Sequence, residues 1–140
     1  MRIGRIILGL LVIGGAAGWF LAMPRPLPES AVAGLAGDAG KGEAVFWAGG
    51  CTSCHAAPGA TGEAQLLLAG GQRFATPFGT FIAPNISPDR TNGIGGWSLA
   101  QFASAVQRGV SPEGAHYYPA FPYVAYGKAS LQDIADLKAY

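Results

Sequence analysis

The stretch CTSCH, Cys51 to His55, holds both cysteines of this 140-residue chain and one of its two histidines, the other being His116. Two thiols three residues apart, with an imidazole directly after the second, suit four chemistries. A structural zinc site wants four ligands, usually two cysteine pairs or a cysteine pair with a histidine pair. Here one cysteine pair, His55 and the distant His116 are on offer. A dithiol redox centre places C-x-x-C at the start of a helix in a βαβ unit, and no strand is read on either side of this one. A structural disulfide is open to an exported chain but leaves the adjacent histidine without a task. The fourth chemistry is covalent attachment of a c-type haem. Each thiol then adds to a porphyrin vinyl group from one turn of backbone, and the His55 imidazole binds the iron.

The elements that must position these groups follow from caps and periodicity. Asp38 is a fitting N-cap for a short helix that Gly49-Gly50 ends. From Cys51 to Gly96 periodicity is weak and turn residues are frequent, as in GATG, TPFGT and NISPDRTNGIGG. So long a loop region leaves polar backbone unsatisfied unless it wraps around something, and a porphyrin is such a body. Ser98 and Gln101 make a capping box for a second helix, with Leu99, Phe102 and Val106 on one face and Gly109 past its end. SPEGAHYYPAFPYVAYG reads as an aromatic, proline-broken loop. Ser130 caps a last helix with Leu131, Ile134 and Leu137 on one face. No strand and no internal repeat is read. The fold class expected for 38–140 is all-α with long loops.

Nine basic and eight acidic side chains leave a net charge of +1, and no lysine or arginine run exists for a nucleic acid to grip. Arg2, Arg5 and Arg25 lie at the start, while residues 37 onward carry six basic and seven acidic groups. Ile6 to Met23 is a run of eighteen residues without a charge. As a helix it spans about 27 Å, enough for the hydrocarbon core of a bilayer, with Trp19 and Phe20 near its far end where aromatic rings suit the interface. A cleaved signal peptide competes, but its best small-x-small site, Ala31-Val32-Ala33, lies eight residues beyond the apolar run. Residues 1–23 therefore read as an uncleaved signal-anchor transmembrane helix. Arginines on its short N-terminal side keep that end cytoplasmic. This places the chain in a bacterial inner membrane, with everything after Met23 in the periplasm. Residues 24–37 read as a linker. PRPLPES is a stiff polyproline spacer, and AVAGLAG softens the join to the domain at 38–140.

GKGEAVFWAGGCTSCH, followed at the C-terminus by IADLKAY, resembles class I cytochrome c, with Gly42 and Phe46 matching that family's contact with Leu137 and Tyr140. TPFGTFIAPNISPD, GIGGWSLAQFASAVQRGVSPEG and HYYPAFPY resemble, more narrowly, the membrane-anchored cytochrome subunits of periplasmic alcohol, aldehyde and sugar-acid dehydrogenases. The likeness implies one covalent haem c on Cys51 and Cys54, with His55 as proximal iron ligand. It implies electron transfer rather than substrate catalysis, between a dehydrogenase or quinol-linked donor and a terminal oxidase or other cytochrome of a respiratory chain. Trp97 resembles the tryptophan that hydrogen-bonds a haem propionate, with core packing as its alternative. Phe78, Phe81 and Phe121 are expected to wall the haem, and Arg73 to reach a propionate or stay solvated. Relatives of this kind commonly continue into a second haem domain. This sequence has one attachment site and stops in its last helix, as a fragment or a single-haem version would.

The family usually sets a methionine on the iron's far side, in the loop before the last helix. The only methionines here are Met1 and Met23. Where related subunits read Ala-Met-Pro-Tyr, this chain has Ala120-Phe121-Pro122-Tyr123, and the other place a methionine is found is Ala129. His116, five residues before Phe121, is the expected distal ligand. The alternatives are a surface or propionate-bonding His116 with an open or water-filled site, Lys128, or a group from a partner. With an open site, the same domain would serve as a gas or peroxide sensor or a peroxidase.

Overall fold

The computed structural model describes residues 2–140, so Met1 of the expected anchor lies outside the described residues. Helix α1 (Arg2–Ala22) runs unbroken through the apolar segment, and every residue of it is exposed. Pro28 (φ −71°, ψ 151°) keeps the polyproline geometry its sequence dictates, and a 3-10 turn, Glu29–Val32, follows. Helix α2 (Ala39–Gly49) starts where Asp38 Oδ1 accepts from the Gly40 and Lys41 amides, at 2.9 and 3.2 Å. It ends at Gly50, whose φ of 66° costs a glycine little. Helix α3 (Cys51–His55) begins at once. Both later capping boxes form. Ser98 with Gln101 starts α4 (Leu99–Arg108), and Ser130 with Asp133 starts α6 (Leu131–Ala139), after the single-turn α5 (Tyr123–Tyr126).

A departure from the strand-free reading lies between α3 and α4. Strands β1 (Arg73–Thr76) and β2 (Gly79–Ile82) pair antiparallel, in register from Arg73 with Ile82 to Thr76 with Gly79. The Thr76 hydroxyl donates to the Gly79 carbonyl at 2.8 Å and accepts from the Phe78 amide at 3.2 Å, which closes the turn. Four-residue strands exposed along nearly their whole length carry no inside-outside alternation, so the pattern had nothing to report. The architecture is that of class I cytochrome c, helices with long loops plus one small hairpin, preceded by the N-terminal apolar helix.

The core forms where α2 crosses α6. Gly42 lies against the Asp136 carbonyl, and the buried Phe46 ring meets Tyr140 with centroids 5.1 Å apart. Buried Asp136 accepts from the Asp38 amide at 2.8 Å and from Gln132 Nε2 at 2.7 Å, which ties the start of α2 to α6. In α4 the buried residues are Ala100, Ala103, Ser104 and Ala105. Leu99, Phe102 and Val106 of the expected face are half-buried. Of the buried four, Ala100 and Ser104 lie beside the linker residues Pro26, Leu27 and Glu29.

The segment expected as a spacer is thus seated on the domain. The Leu27 amide donates to Ser104 Oγ at 2.8 Å, Arg108 to the Arg25 carbonyl at 2.9 Å, Ser98 Oγ to Glu29 at 2.6 Å, and Gln132 to the Ala36 carbonyl at 2.8 Å. Val32 is buried. A polyproline strand has unpaired backbone groups, and the polar side chains of α4 and α6 supply their partners.

A Cβ on Gly42 would run into the Asp136 carbonyl and the Tyr140 side chain, both held by helix backbone. Gly42→Ala is therefore expected to destabilise the domain by about 1–3 kcal/mol, against roughly half a kcal/mol or less for Glu43→Ala on the exposed side of α2. Thermal unfolding of the two variants beside the parent chain measures the difference, and equal midpoints would refute the close crossing.

Candidate functional site

The left-handed Gly50 turns the chain sharply from α2 into α3, and Ser53 Oγ donates back to the Gly50 carbonyl at 2.6 Å. Cys51 and Cys54 therefore share one helical turn, both as free, half-buried thiols. Burial first, and the neighbouring Cys54 after it, push the Cys51 thiol above its usual range against a backbone hydrogen bond that lowers it. At neutral pH Cys51 is thus a protonated thiol. A dithiol redox pair depends on an acidified cysteine, and the shift at Cys51 runs the other way. Among the described residues no three His, Cys, Asp or Glu side chains converge as a metal cage, which removes the zinc reading as well.

His55 is oriented from the far side of the loop region. Its Nδ1 lies 2.9 Å from the Pro84 carbonyl oxygen. A carbonyl only accepts, so Nδ1 carries the proton and Nε2 keeps its lone pair. The Pro84 carbonyl is itself fixed by two chain segments running side by side. Gly70 donates to the His55 carbonyl (2.8 Å), Gly71 to Ala83 (2.9 Å), Ala83 to Gln72 (2.9 Å) and Ile86 to Leu68 (3.0 Å). Gly70 has φ +72° and backs directly onto the Ala83 and Pro84 carbonyls, leaving no room for a side chain. Gly70 and Pro84 are functional positions that sequence reasoning missed. The one available signal was that a ligating imidazole requires an acceptor for its other nitrogen, which does not say where in the chain that acceptor lies.

The aromatic loop closes over the same turn. Tyr126 donates to the Gly49 carbonyl at 2.9 Å, and its phenol is pushed above the usual range by burial and then by the adjacent Cys51 and Cys54. Half-buried Phe121 sits among Tyr117, Tyr123 and Tyr126, with centroids 6.0 to 6.2 Å away. Phe81 stacks on Tyr118 at 4.6 Å. Trp97 is half-buried just before the Ser98 cap of α4, and Arg73 is exposed at the start of β1.

Two further expected residues are exposed. Phe78, expected as a wall, is 83% exposed at the tip of the hairpin, because the turn between β1 and β2 points it outward. His116, expected on the iron's far side, is exposed and sets Nε2 2.9 Å from the Ala22 carbonyl at the end of α1. A carbonyl only accepts, so in this arrangement Nε2 carries the proton.

The remaining arrangement fits a c-type haem: two free thiols on one turn, an imidazole with Nε2 open and Nδ1 buttressed, and a half-buried aromatic cluster beside them. Gly70→Ala would force the Pro84 carbonyl away from His55. In the oxidised haem protein, the His55 Nδ1 proton should then exchange with solvent about tenfold or more faster, the scale of second-shell losses. Gly59→Ala, equally left-handed but with open space around it, should leave that proton protected. Proton NMR reads both, and unchanged exchange in Gly70→Ala would disprove the buttress.

A family model for cytochrome c matches residues 39–140. The chain is 56% identical over 133 residues to a diheme cytochrome c-type protein of Cereibacter sphaeroides, covering 95% of this chain and 45% of that one. It is 42% identical over 100 residues to the gluconate 2-dehydrogenase cytochrome c subunit of Pantoea cypripedii, and 37% over 100 residues to the fructose dehydrogenase cytochrome subunit of Gluconobacter japonicus. Each of these two alignments covers 71% of this chain, but 22% and 20% of the relatives, so the chain spans less than half of any of the three. With Cys51, Cys54 and the buttressed His55 standing where covalent haem attachment needs them, the chain belongs to the cytochrome c family.

Proposed function

We propose that the chain is a membrane-anchored periplasmic cytochrome domain that passes single electrons from a dehydrogenase or quinol-linked donor to a downstream cytochrome or terminal oxidase. The observation that carries this reading is the CTSCH turn with His55 held through Nδ1 by the Pro84 carbonyl. One haem c, when bound, supplies the ferric–ferrous couple. The chain's own residues do the rest. Cys51 and Cys54 tether the group, and His55 presents Nε2 to the iron. Phe121 and the tyrosines around it keep water from one side and limit the solvent rearrangement that accompanies a change of charge. No substrate chemistry is assigned to the domain.

The relatives' names support a dehydrogenase as the donor. The length and composition of α1 support the anchor, with a mean hydropathy of 1.9 and all residues exposed. Arg2 and Arg5 on its short side favour a cytoplasmic N-terminus. A surface carrying six basic and seven acidic groups beyond residue 37 favours brief contacts with partners over strong electrostatic steering.

A second reading rests on His116. Under this reading, with Nε2 held at Ala22 and no methionine between residues 38 and 140, the haem would keep a coordination place for a small ligand. The domain would then bind a gas or peroxide. Two measurements on the exported chain decide between the readings. The electron-carrier reading expects one haem per chain by pyridine haemochrome, reduction by a partner dehydrogenase within its turnover time, and complete loss of both in a Cys51→Ser, Cys54→Ser variant. Rapid carbon monoxide binding to the reduced form, with no reduction by any dehydrogenase, would replace it by the second reading.

A further inference from the structure

The strongest feature that electron transfer does not use is the seat of the anchor on the domain. Ala22 is the last residue of α1, and the final carbonyls of a helix have no partner within it. His116 donates Nε2–H to the Ala22 carbonyl at 2.9 Å. Arg25 folds back toward the same helix end, with its guanidinium over the Phe20 ring at 5.1 Å and 3.4 Å from the Phe20 carbonyl. Positive groups suit this end of a helix dipole. Beyond it, Arg108 holds the Arg25 carbonyl and Ser104 holds the Leu27 amide.

The far side of this seat is tied into the domain by backbone hydrogen bonds. His116 pairs with Val110 in an antiparallel bridge, Tyr117 donates to Gly109 at 2.7 Å, and Ser111 donates to Ala115 at 2.8 Å. Val110 is fully buried directly after α4. A continuous hydrogen-bonded path thus runs from α1 through His116 to the end of α4.

We propose that His116, with Arg108 and Ser104, docks the outer end of α1 onto the cytochrome domain, so that anchor and domain move as one body. The domain then keeps one height and one orientation above the bilayer instead of swinging on a tether. This inference rests on the reading of α1 as a membrane anchor and deepens it. His116 acts as a positioning residue and not as an iron ligand.

The test uses the full haem-loaded chain in oriented membrane multilayers, as the parent and as His116→Ala and Arg108→Ala variants. In the parent, the EPR signal of the oxidised haem should depend sharply on the angle between membrane and field. Both variants should lose most of that dependence, and backbone exchange over residues 25–31 should quicken by about tenfold, as the loss of one ordinary hydrogen bond gives. Their frozen-solution EPR and absorption spectra should match the parent, which also reports that the domain has folded. A changed frozen-solution spectrum in His116→Ala, with exchange over 25–31 unaltered, would make His116 an iron ligand and overturn the proposal. Parent-like orientation and exchange in both variants would overturn it too. Failure of the anchor reading is separate, since the parent would then leave the membrane fraction while exchange over 25–31 in solution still reported the dock.

Discussion

The hydrogen bond from His55 Nδ1 to the Pro84 carbonyl fixes the proton on one ring nitrogen and leaves the other able to bind iron. It joins residues 29 apart in sequence, so the loop region between them must return to the place where it left α3. That return explains the pairing of 68–72 with 83–86, and it explains why Gly70 has neither side chain nor ordinary φ. The hairpin β1–β2 is the part of the excursion that lies beyond the paired segments, which is why its tip, with Phe78, stands in solvent. What looks like shapeless loop in the sequence is organised around one imidazole.

The competing chemistries separate on the same turn. A zinc site would need further donors brought to Cys51, Cys54 and His55, and among the described residues none converge there. A redox dithiol would need an acidified cysteine, whereas burial drives Cys51 the other way. A protonated Cys51 thiol, half-buried with Cys54 on the same turn, suits permanent attachment to a large apolar group. Stability and function therefore draw on the same residues. Tyr126 shows this directly, since one side chain closes the attachment turn by holding Gly49 and also belongs to the Phe121 cluster.

The legible parts were those written in short-range chemistry. Asp38, Ser98 and Ser130 cap their helices as their spacing requires, Gly50 and Gly109 end theirs with positive φ, and Phe46 meets Tyr140. These features depend on neighbours a few residues away or on one amphipathic face. Pro84, Gly70 and the β1–β2 hairpin depend on pairings with no apolar period to mark them. The linker misled for another reason. Its prolines do impose polyproline geometry, but composition says nothing of whether such a strand is free or lies against Ser104 and Arg108. His116 was expected from its distance in sequence from Phe121, and its ring is found exposed with Nε2 at the Ala22 carbonyl.

The seated linker bears on how such a carrier meets its partners. A flexible tether of comparable length lets a domain explore a broad volume, and the fraction of encounters with the redox group facing the partner is small. Charged carriers raise that fraction by steering, but this domain is close to neutral and has little field to offer. In the proposed arrangement, a domain held to a membrane-spanning α1 by His116, Arg108 and Ser104 would confine the search to the plane of the bilayer and present one face throughout. Geometry then supplies the orientation that charge does not, and partners embedded in or lying on the same membrane are the ones for which that orientation is worth holding.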